Sequence, residues 1–338
     1  MFRIFASLLL LTSSLSLAEL PEILDLDVIT YQELSEGDAQ ALETLTRALH
    51  DKGIVGIRGV PEYEERYSAF IKASRDFHAL PEDVKELYSA GREAADDCLG
   101  YESGKERFQL PSGDWVVDDL KTSYYAQVPN IPENKWPVEV DLEGPFQALG
   151  QLMAQTGELI MYQIGLLGEE TGIHLEEGAC LGRMLYYRKS ENSQNPHWCG
   201  AHFDHGLFTA ILPAVYFVDG HEVAEPAEAG LFVRRHAGAP YKKVSANDPS
   251  VMMFQVGEFG QVISNDGIRA TEHRVHKAEG AIERYTLALF FNAPFDTPIY
   301  STSELTSDTR YGAKTGEAST YRHWNKASYE RYLLKQDL

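Results

Sequence analysis

The sequence predicts a mainly β protein with flanking helices, in which a sandwich or barrel of short strands follows an N-terminal α/β lobe. Beyond Leu181, short apolar runs alternate with Gly, Pro, Asn and Asp, a pattern typical of many-stranded all-β domains. Before residue 137, helical periodicity alternates with β-branched runs. The 18 tyrosines and 15 phenylalanines suit a β-rich interior, and 338 residues are enough to bury a substantial core.

Residues 1–18 have the pattern of a secretory signal peptide. Arg3 provides a positive start, residues 5–17 are mostly apolar, and Ser16 and Ala18 are the small residues that signal peptidase requires. The apolar stretch is too short to span a bilayer comfortably, although an uncleaved anchor is the alternative. We therefore expect a mature chain beginning near Glu19, secreted or periplasmic, with no stable membrane span.

The N-terminal lobe, residues 19–137, is predicted to mix helices and strands. A short strand leading into a polar loop is predicted over 22–34. Two amphipathic helices, 39–53 and 63–80, flank a strand at 54–60, and irregular structure with short strands follows over 91–137. Gly53 is a plausible helix C-cap, and Pro81 stops the second helix.

The second part, residues 138–338, is predicted to contain the β domain, with its core at about 180–295. A long helix over 144–172 carries one apolar stripe and should pack against a sheet. The short strands that follow include 207–218, 251–257 and 260–264, and helical spacing returns at 319–336.

The net charge of −21 argues against nucleic acid and anionic membrane surfaces as partners. The three cysteines, Cys98, Cys180 and Cys199, have no paired short spacing. They form neither a disulfide framework nor a zinc-cysteine site, although one bridge with one free thiol remains open.

The stretch GAHFDHGLFT, residues 200–209, places two histidines and an aspartate inside an apolar run. On a strand, His202 and Asp204 share a face and His205 points the other way, unless the register slips by one. A histidine and a carboxylate two residues apart are two of the three ligands of a 2-His-1-carboxylate iron site. The third must come from elsewhere, and His273 and His276 are candidates. The alternative is a set of hydrogen-bonded core residues.

Several motifs in the same order carry a family resemblance. They are His202-Phe203-Asp204, His273-Arg274-Val275, Arg284-Tyr285-Thr286, Ser264-Asn265-Asp266-Gly267, Trp136-Pro137, DKGIVGIRGV and DFHALPEDVKEL. With them the chain resembles the iron(II)/2-oxoglutarate-dependent dioxygenases, specifically the isopenicillin-N-synthase-like group, over most of its mature length. The resemblance implies a distorted double-stranded β-helix, or jelly roll, behind an N-terminal lobe of the non-haem dioxygenase type.

The resemblance also implies a chemistry. His202, Asp204 and His273 correspond to the metal ligands. The residues that bind 2-oxoglutarate in the family correspond to Arg284, Thr286 and Tyr187. Thr286 stands in place of the family serine, and the neighbours of Tyr187 differ from the family pattern. Fe(II), 2-oxoglutarate and O2 would then hydroxylate, desaturate or cyclise a small organic substrate and release succinate and CO2.

Some features depart from the family. The 69 positions between Asp204 and His273 are longer than expected, and the acidic segment 218–230 is predicted to be an insertion acting as a lid or contact loop. Arg183, Phe208 and Phe290 are expected in the core, with the wall of the pocket as the alternative. Two other functions stay open: a 2-oxoglutarate-independent oxidase of the same family, and a secreted binding protein without catalysis. The oligomeric state and the substrate are not predicted.

Overall fold

The computed structural model describes residues 20–91, 98–105, 107–109, 112–117, 119–169, 171–175, 180–188, 197–307 and 319–330. The expected signal peptide, residues 1–18, lies outside the described residues, so its prediction stays as it was. Within the described ranges, no helix is both long enough and apolar enough to cross a membrane.

Sixteen strands and seven α-helices are present among the described residues. The strands are β1 Val28–Thr30, β2 Ile54–Arg58, β3 Gly100–Ser103, β4 Arg107–Gln109, β5 Trp115–Val117, β6 Lys121–Val128, β7 Cys180–Tyr187, β8 His197–His202, β9 Phe208–Ile211, β10 Val215–Val218, β11 His221–Val223, β12 Gly230–Arg234, β13 Lys242–Val244, β14 Val251–Val256, β15 Glu272–His276 and β16 Ile282–Phe291. The helices are α1 Tyr31–Glu36, α2 Ala39–Asp51, α3 Tyr63–His78, α4 Glu82–Glu86, α5 Glu143–Gln163, α6 Glu258–Ile263 and α7 Tyr321–Glu330.

Two sheets face each other. The large sheet has the order β1-β2-β14-β9-β16-β7-β6-β3, with β10 paired to both β16 and β11. The small sheet has the order β13-β12-β15-β8, and β4 pairs with β5 separately. Apolar side chains from both sheets share one core between them, including Leu185 and Ala288 from the large sheet and Leu231 and Val275 from the small one. The large sheet is therefore buried on both faces, since its other face packs against helices.

The helix α5 packs on the outer face of the large sheet, as its apolar stripe predicted. Phe146, Leu149 and Met153 are fully buried. The approach is close at Gly157, where an added Cβ would lie 2.2 Å from the Phe291 ring of β16. A larger residue at this point would push the helix off the sheet.

Two local predictions were wrong. The polar loop expected after β1 is the helix α1, because Thr30 and Glu33 form a reciprocal capping box that closes its first turn. The strand expected over 260–264 is the helix α6. Val262 lies in a wholly buried stretch, where an apolar run has no periodicity to distinguish helix from strand.

The boundary proposed after residue 137 stays a prediction as a division into domains. The large sheet itself runs across it, because β1, β2, β3 and β6 come from residues before 137 and pair with strands that follow it. The three cysteines lie in described ranges, and no disulfide joins any two of them.

Candidate active site

Three potential metal-binding side chains converge at one end of the small sheet. His202 is the last residue of β8 and pairs with His273 of β15. Asp204 lies two residues beyond β8, with its Oδ1 3.7 Å from His202 Nε2 and 3.8 Å from His273 Nε2. The possible ligand atoms of the three residues all lie within 4.8 Å of one another. His205 and His276 do not belong to this group.

The loop after β8 brings Asp204 to this point, although the strand has already ended. The backbone N–H of Glu258, at the start of α6, donates to the Asp204 carbonyl at 2.7 Å, and that of Phe259 donates to the Gly206 carbonyl at 3.0 Å. Gly257 must be glycine, since an added Cβ would lie 2.2 Å from the Gly206 carbonyl oxygen. The short helix therefore holds the loop that carries the carboxylate.

Backbone carbonyls orient both histidines. His202 Nδ1 lies 2.8 Å from the Gly200 carbonyl, and His273 Nδ1 lies 3.2 Å from the Thr271 carbonyl. An Nδ1–H donor to each carbonyl leaves the Nε2 lone pair directed at the space beside Asp204. Burial, followed by the charge of His202, lowers the pKa of His273 to about 4. This imidazole is therefore neutral near pH 7, as metal binding requires.

The Asp204 carboxylate is held by two donors on its other oxygen. The Thr209 hydroxyl donates to Oδ2 at 2.7 Å, and the Gln255 amide donates to the same atom. Burial by itself raises the pKa of Asp204, but His273, His202 and these hydrogen bonds together bring it below its ordinary value. The carboxylate is thus ionised, and Oδ1 is left to face the two histidines. Both residues were missed in the sequence. Gln255 lies 51 residues from Asp204, whereas Thr209 is only five residues away and was taken as part of the apolar run.

The large sheet supplies the facing wall. Arg284 on β16 pairs with Tyr187 on β7, so both side chains lie on one face, and the guanidinium carbon lies 4.7 Å from the centre of the Tyr187 ring. Arg284 is 3% exposed, and among the described residues no acceptor bonds its Nη1. The Thr286 hydroxyl lies on the same wall and donates to the Leu212 carbonyl at 2.9 Å.

A cavity between the sheets joins these two walls. It is lined by Lys121, Arg183, Leu185, Tyr187, Cys199, His202, Asp204, Thr209, Ile211, Leu231, His273, Val275, Arg284, Thr286, Ala288 and Phe290. Arg183 and Phe290 therefore line the cavity, which was the alternative to the favoured core position, whereas Phe208 is in the core as expected. Three lining side chains are basic, and Asp204 is the one carboxylate among the described lining residues.

Comparison with known proteins agrees with this geometry. Residues 179–293 match the family model described as the 2OG-Fe(II) oxygenase superfamily. Jasmonate-induced oxygenase 1 of Arabidopsis thaliana is 24% identical over 305 residues, which cover 86% of this chain and 70% of that protein.

Two solved structures share the fold. A full-length Neurospora crassa protein in complex with alpha-KG has a TM-score of 0.67 at 18% identity, covering 93% of this chain and 98% of that one. JOX2 in complex with 2OG, Fe and JA has a TM-score of 0.62 at 20% identity, covering 94% of this chain and 92% of that one. The jelly-roll prediction is confirmed.

Proposed function

We propose that this chain, residues 179–293 of which match the 2OG-Fe(II) oxygenase superfamily, is an Fe(II)- and 2-oxoglutarate-dependent dioxygenase that oxidises a small organic anion. Its cosubstrates are 2-oxoglutarate and O2, and 2-oxoglutarate leaves as succinate and CO2. The observation that carries the proposal is the basic lining of a cavity with a single described carboxylate.

We assign His202, Asp204 and His273 as the iron ligands. Two imidazoles and one carboxylate are the donor set that non-haem iron(II) takes, and three protein ligands leave positions for cosubstrates. Bound iron would supply the Lewis acid and redox chemistry. The chain's own contribution is to hold three ligand atoms on one side of a buried cavity, each side chain being oriented by a hydrogen bond at its other polar atom.

We assign Arg284 to the distal carboxylate of 2-oxoglutarate. Its buried Nη1 has no acceptor among the described residues, and a guanidinium fork suits a carboxylate. The Tyr187 ring lies against one face of the guanidinium and fixes its plane. The proton of the Thr286 hydroxyl is committed to the Leu212 carbonyl, so a contact with 2-oxoglutarate requires that hydroxyl to rotate.

A count of formal charges favours an anionic substrate. Lys121, Arg183 and Arg284 contribute three positive charges to the cavity and iron(II) two more, against the single charge of Asp204. The lining of the cavity is thus basic on balance. A substrate carboxylate near Arg183 would gain a charge-assisted hydrogen bond in a cavity sheltered from water.

The enzyme activity is tested by succinate release. Purified protein with Fe(II), 2-oxoglutarate and air should form succinate, whereas His202→Ala should lose both metal binding and succinate formation. O2 uptake without succinate would favour the 2-oxoglutarate-independent oxidase. If iron-loaded protein showed neither O2 uptake nor succinate formation, the alternative of a binding protein without catalysis would be favoured.

The substrate class is tested with small carboxylic acids, each paired with its own primary amide. The acids should raise succinate release above the substrate-free rate about tenfold more effectively than the amides, as expected for one charge-assisted contact. Arg183→Gln should remove this preference, and Arg183→Lys should keep part of it. Equal responses to acids and amides, including no response to either, would contradict an anionic substrate.

We also propose that the enzyme works outside the cytoplasm. The support is the pattern of residues 1–18, a positive start, a short apolar stretch and a small-residue end. N-terminal sequencing of the protein recovered from the expressing cell should begin near Glu19. A chain that retains Met1 in the cytoplasm would refute export.

A further inference from the structure

The insertion between β10 and β12 carries a buried carboxylate. The side chains of Glu225 and Lys243 are 4% and 3% exposed, and their Oε2 and Nζ atoms lie 3.3 Å apart. Glu225 Oε2 also accepts from the Ala246 backbone N–H at 2.9 Å, and Lys243 donates to the Ala227 carbonyl at 3.1 Å. The middle of this segment, at Glu225 and Ala227, is thereby tied to β13 and to the residues that follow it.

The other oxygen of Glu225 leads towards the cavity. Glu225 Oε1 accepts from the Tyr216 hydroxyl at 3.1 Å, and the same hydroxyl oxygen accepts from Arg284 Nε at 3.3 Å. Tyr216 on β10 pairs with Arg284 on β16, so the two side chains share a face of the large sheet. A continuous buried chain of contacts therefore runs from Lys243 through Glu225 and Tyr216 to Arg284.

We propose that Tyr216 and Glu225 are positioning residues for 2-oxoglutarate, which hold the Arg284 guanidinium in the orientation that receives the distal carboxylate. The inference rests on the proposed role of Arg284. Tyr216 fixes the guanidinium at Nε while the Tyr187 ring fixes its plane, and Nη1 is left for the ligand. Because the guanidinium is already oriented before 2-oxoglutarate binds, less conformational entropy is lost on binding.

Gly230, at the start of β12, leaves the room that this arrangement needs. Its φ of +110° is accessible to glycine, and an added Cβ would lie 2.6 Å from Glu225 Oε1 and 3.0 Å from the Tyr216 hydroxyl. A side chain here would separate the carboxylate from the tyrosine. Glu225 and Gly230 of the same segment therefore both shape the hydrogen bond with Tyr216.

The test is the affinity of the full-length protein for 2-oxoglutarate, measured by calorimetry with Mn(II) in place of iron. Tyr216→Phe removes the linking hydroxyl and leaves both buried charges in place. It should weaken 2-oxoglutarate binding about fivefold to tenfold, with Mn(II) affinity unchanged within about twofold. In an Arg284→Lys background, which lacks Nε–H, the same substitution should add little.

Tyr321→Phe is the matched control, because this buried hydroxyl donates to Asn292 on another part of the molecule. It should bind 2-oxoglutarate like the wild type. Gly230→Ala provides a second route and should weaken binding in the same direction as Tyr216→Phe. Unchanged 2-oxoglutarate affinity in Tyr216→Phe, or a parallel loss of Mn(II), would overturn the positioning role. Wild-type protein that binds Mn(II) but no 2-oxoglutarate would instead refute the role of Arg284.

Discussion

Replacing Thr209 by valine should weaken metal binding while preserving the shape of the site. Thr209 is 1% exposed, and its hydroxyl is one of two donors to Asp204 Oδ2, at 2.7 Å. A hydrogen bond to a charged group is worth about 1.5–3 kcal/mol. Loss of a group that orients a ligand commonly costs about 10- to 100-fold in metal affinity, or about 1.4–2.8 kcal/mol.

The two ranges agree, so we expect Mn(II) to bind Thr209→Val about 10- to 100-fold more weakly than wild type. Calorimetric titration of the metal-free protein measures this directly. Thr209→Ser, which keeps the hydroxyl, should remain within about threefold of wild type. If Thr209→Val bound Mn(II) as tightly as the wild type, the reasoning would be refuted, because the Gln255 amide alone would then be sufficient to orient Asp204.

Three further predictions concern stability. Gly157→Leu should lower the free energy of unfolding by at least about 1–3 kcal/mol in urea, since its Cβ alone would lie 2.2 Å from the Phe291 ring; an unchanged midpoint would exclude close packing. Burial lowers the pKa of His78 to about 3, so the unfolded chain takes up a proton below pH 6.5 that the folded chain does not. The free energy of unfolding should therefore decrease as the pH is lowered below 6.5. Between pH 7 and pH 5 the wild type should lose about 2 kcal/mol more of it than His78→Leu, and parallel pH profiles of the two proteins would contradict this. Lys243→Met leaves Glu225 buried without its partner and should cost about 3–5 kcal/mol in the same assay, with an unaltered free energy of unfolding as the contrary result.

The sequence predicted the order of the site residues better than their local structure. Strand alternation placed His202 and Asp204 on one face, but β8 ends at His202. The two still converge, because backbone donors of α6 hold the loop that follows. That interaction joins Asp204 to Glu258, more than fifty residues apart in the chain, and no local pattern records it.

Other differences have the same origin. The capping box of α1 was present in the sequence as Thr30 and Glu33 and could have been recognised, because its partners are three residues apart. Glu225 gave no such signal, since its partners Tyr216 and Lys243 meet it only in the folded chain. Arg183 was expected in the core because periodicity identifies an inward face but not whether a cavity lies there.

The two halves of the active site come from different sheets. The histidines belong to the small sheet, whereas Arg284 and Tyr187 belong to the large one. Substitutions at large-sheet positions that face only the cosubstrate, such as Arg284, therefore leave the two histidine ligands untouched. Thr209 and Gln255 of the large sheet also hold Asp204, so any sliding of one sheet against the other would disturb the metal ligands and the cosubstrate wall together.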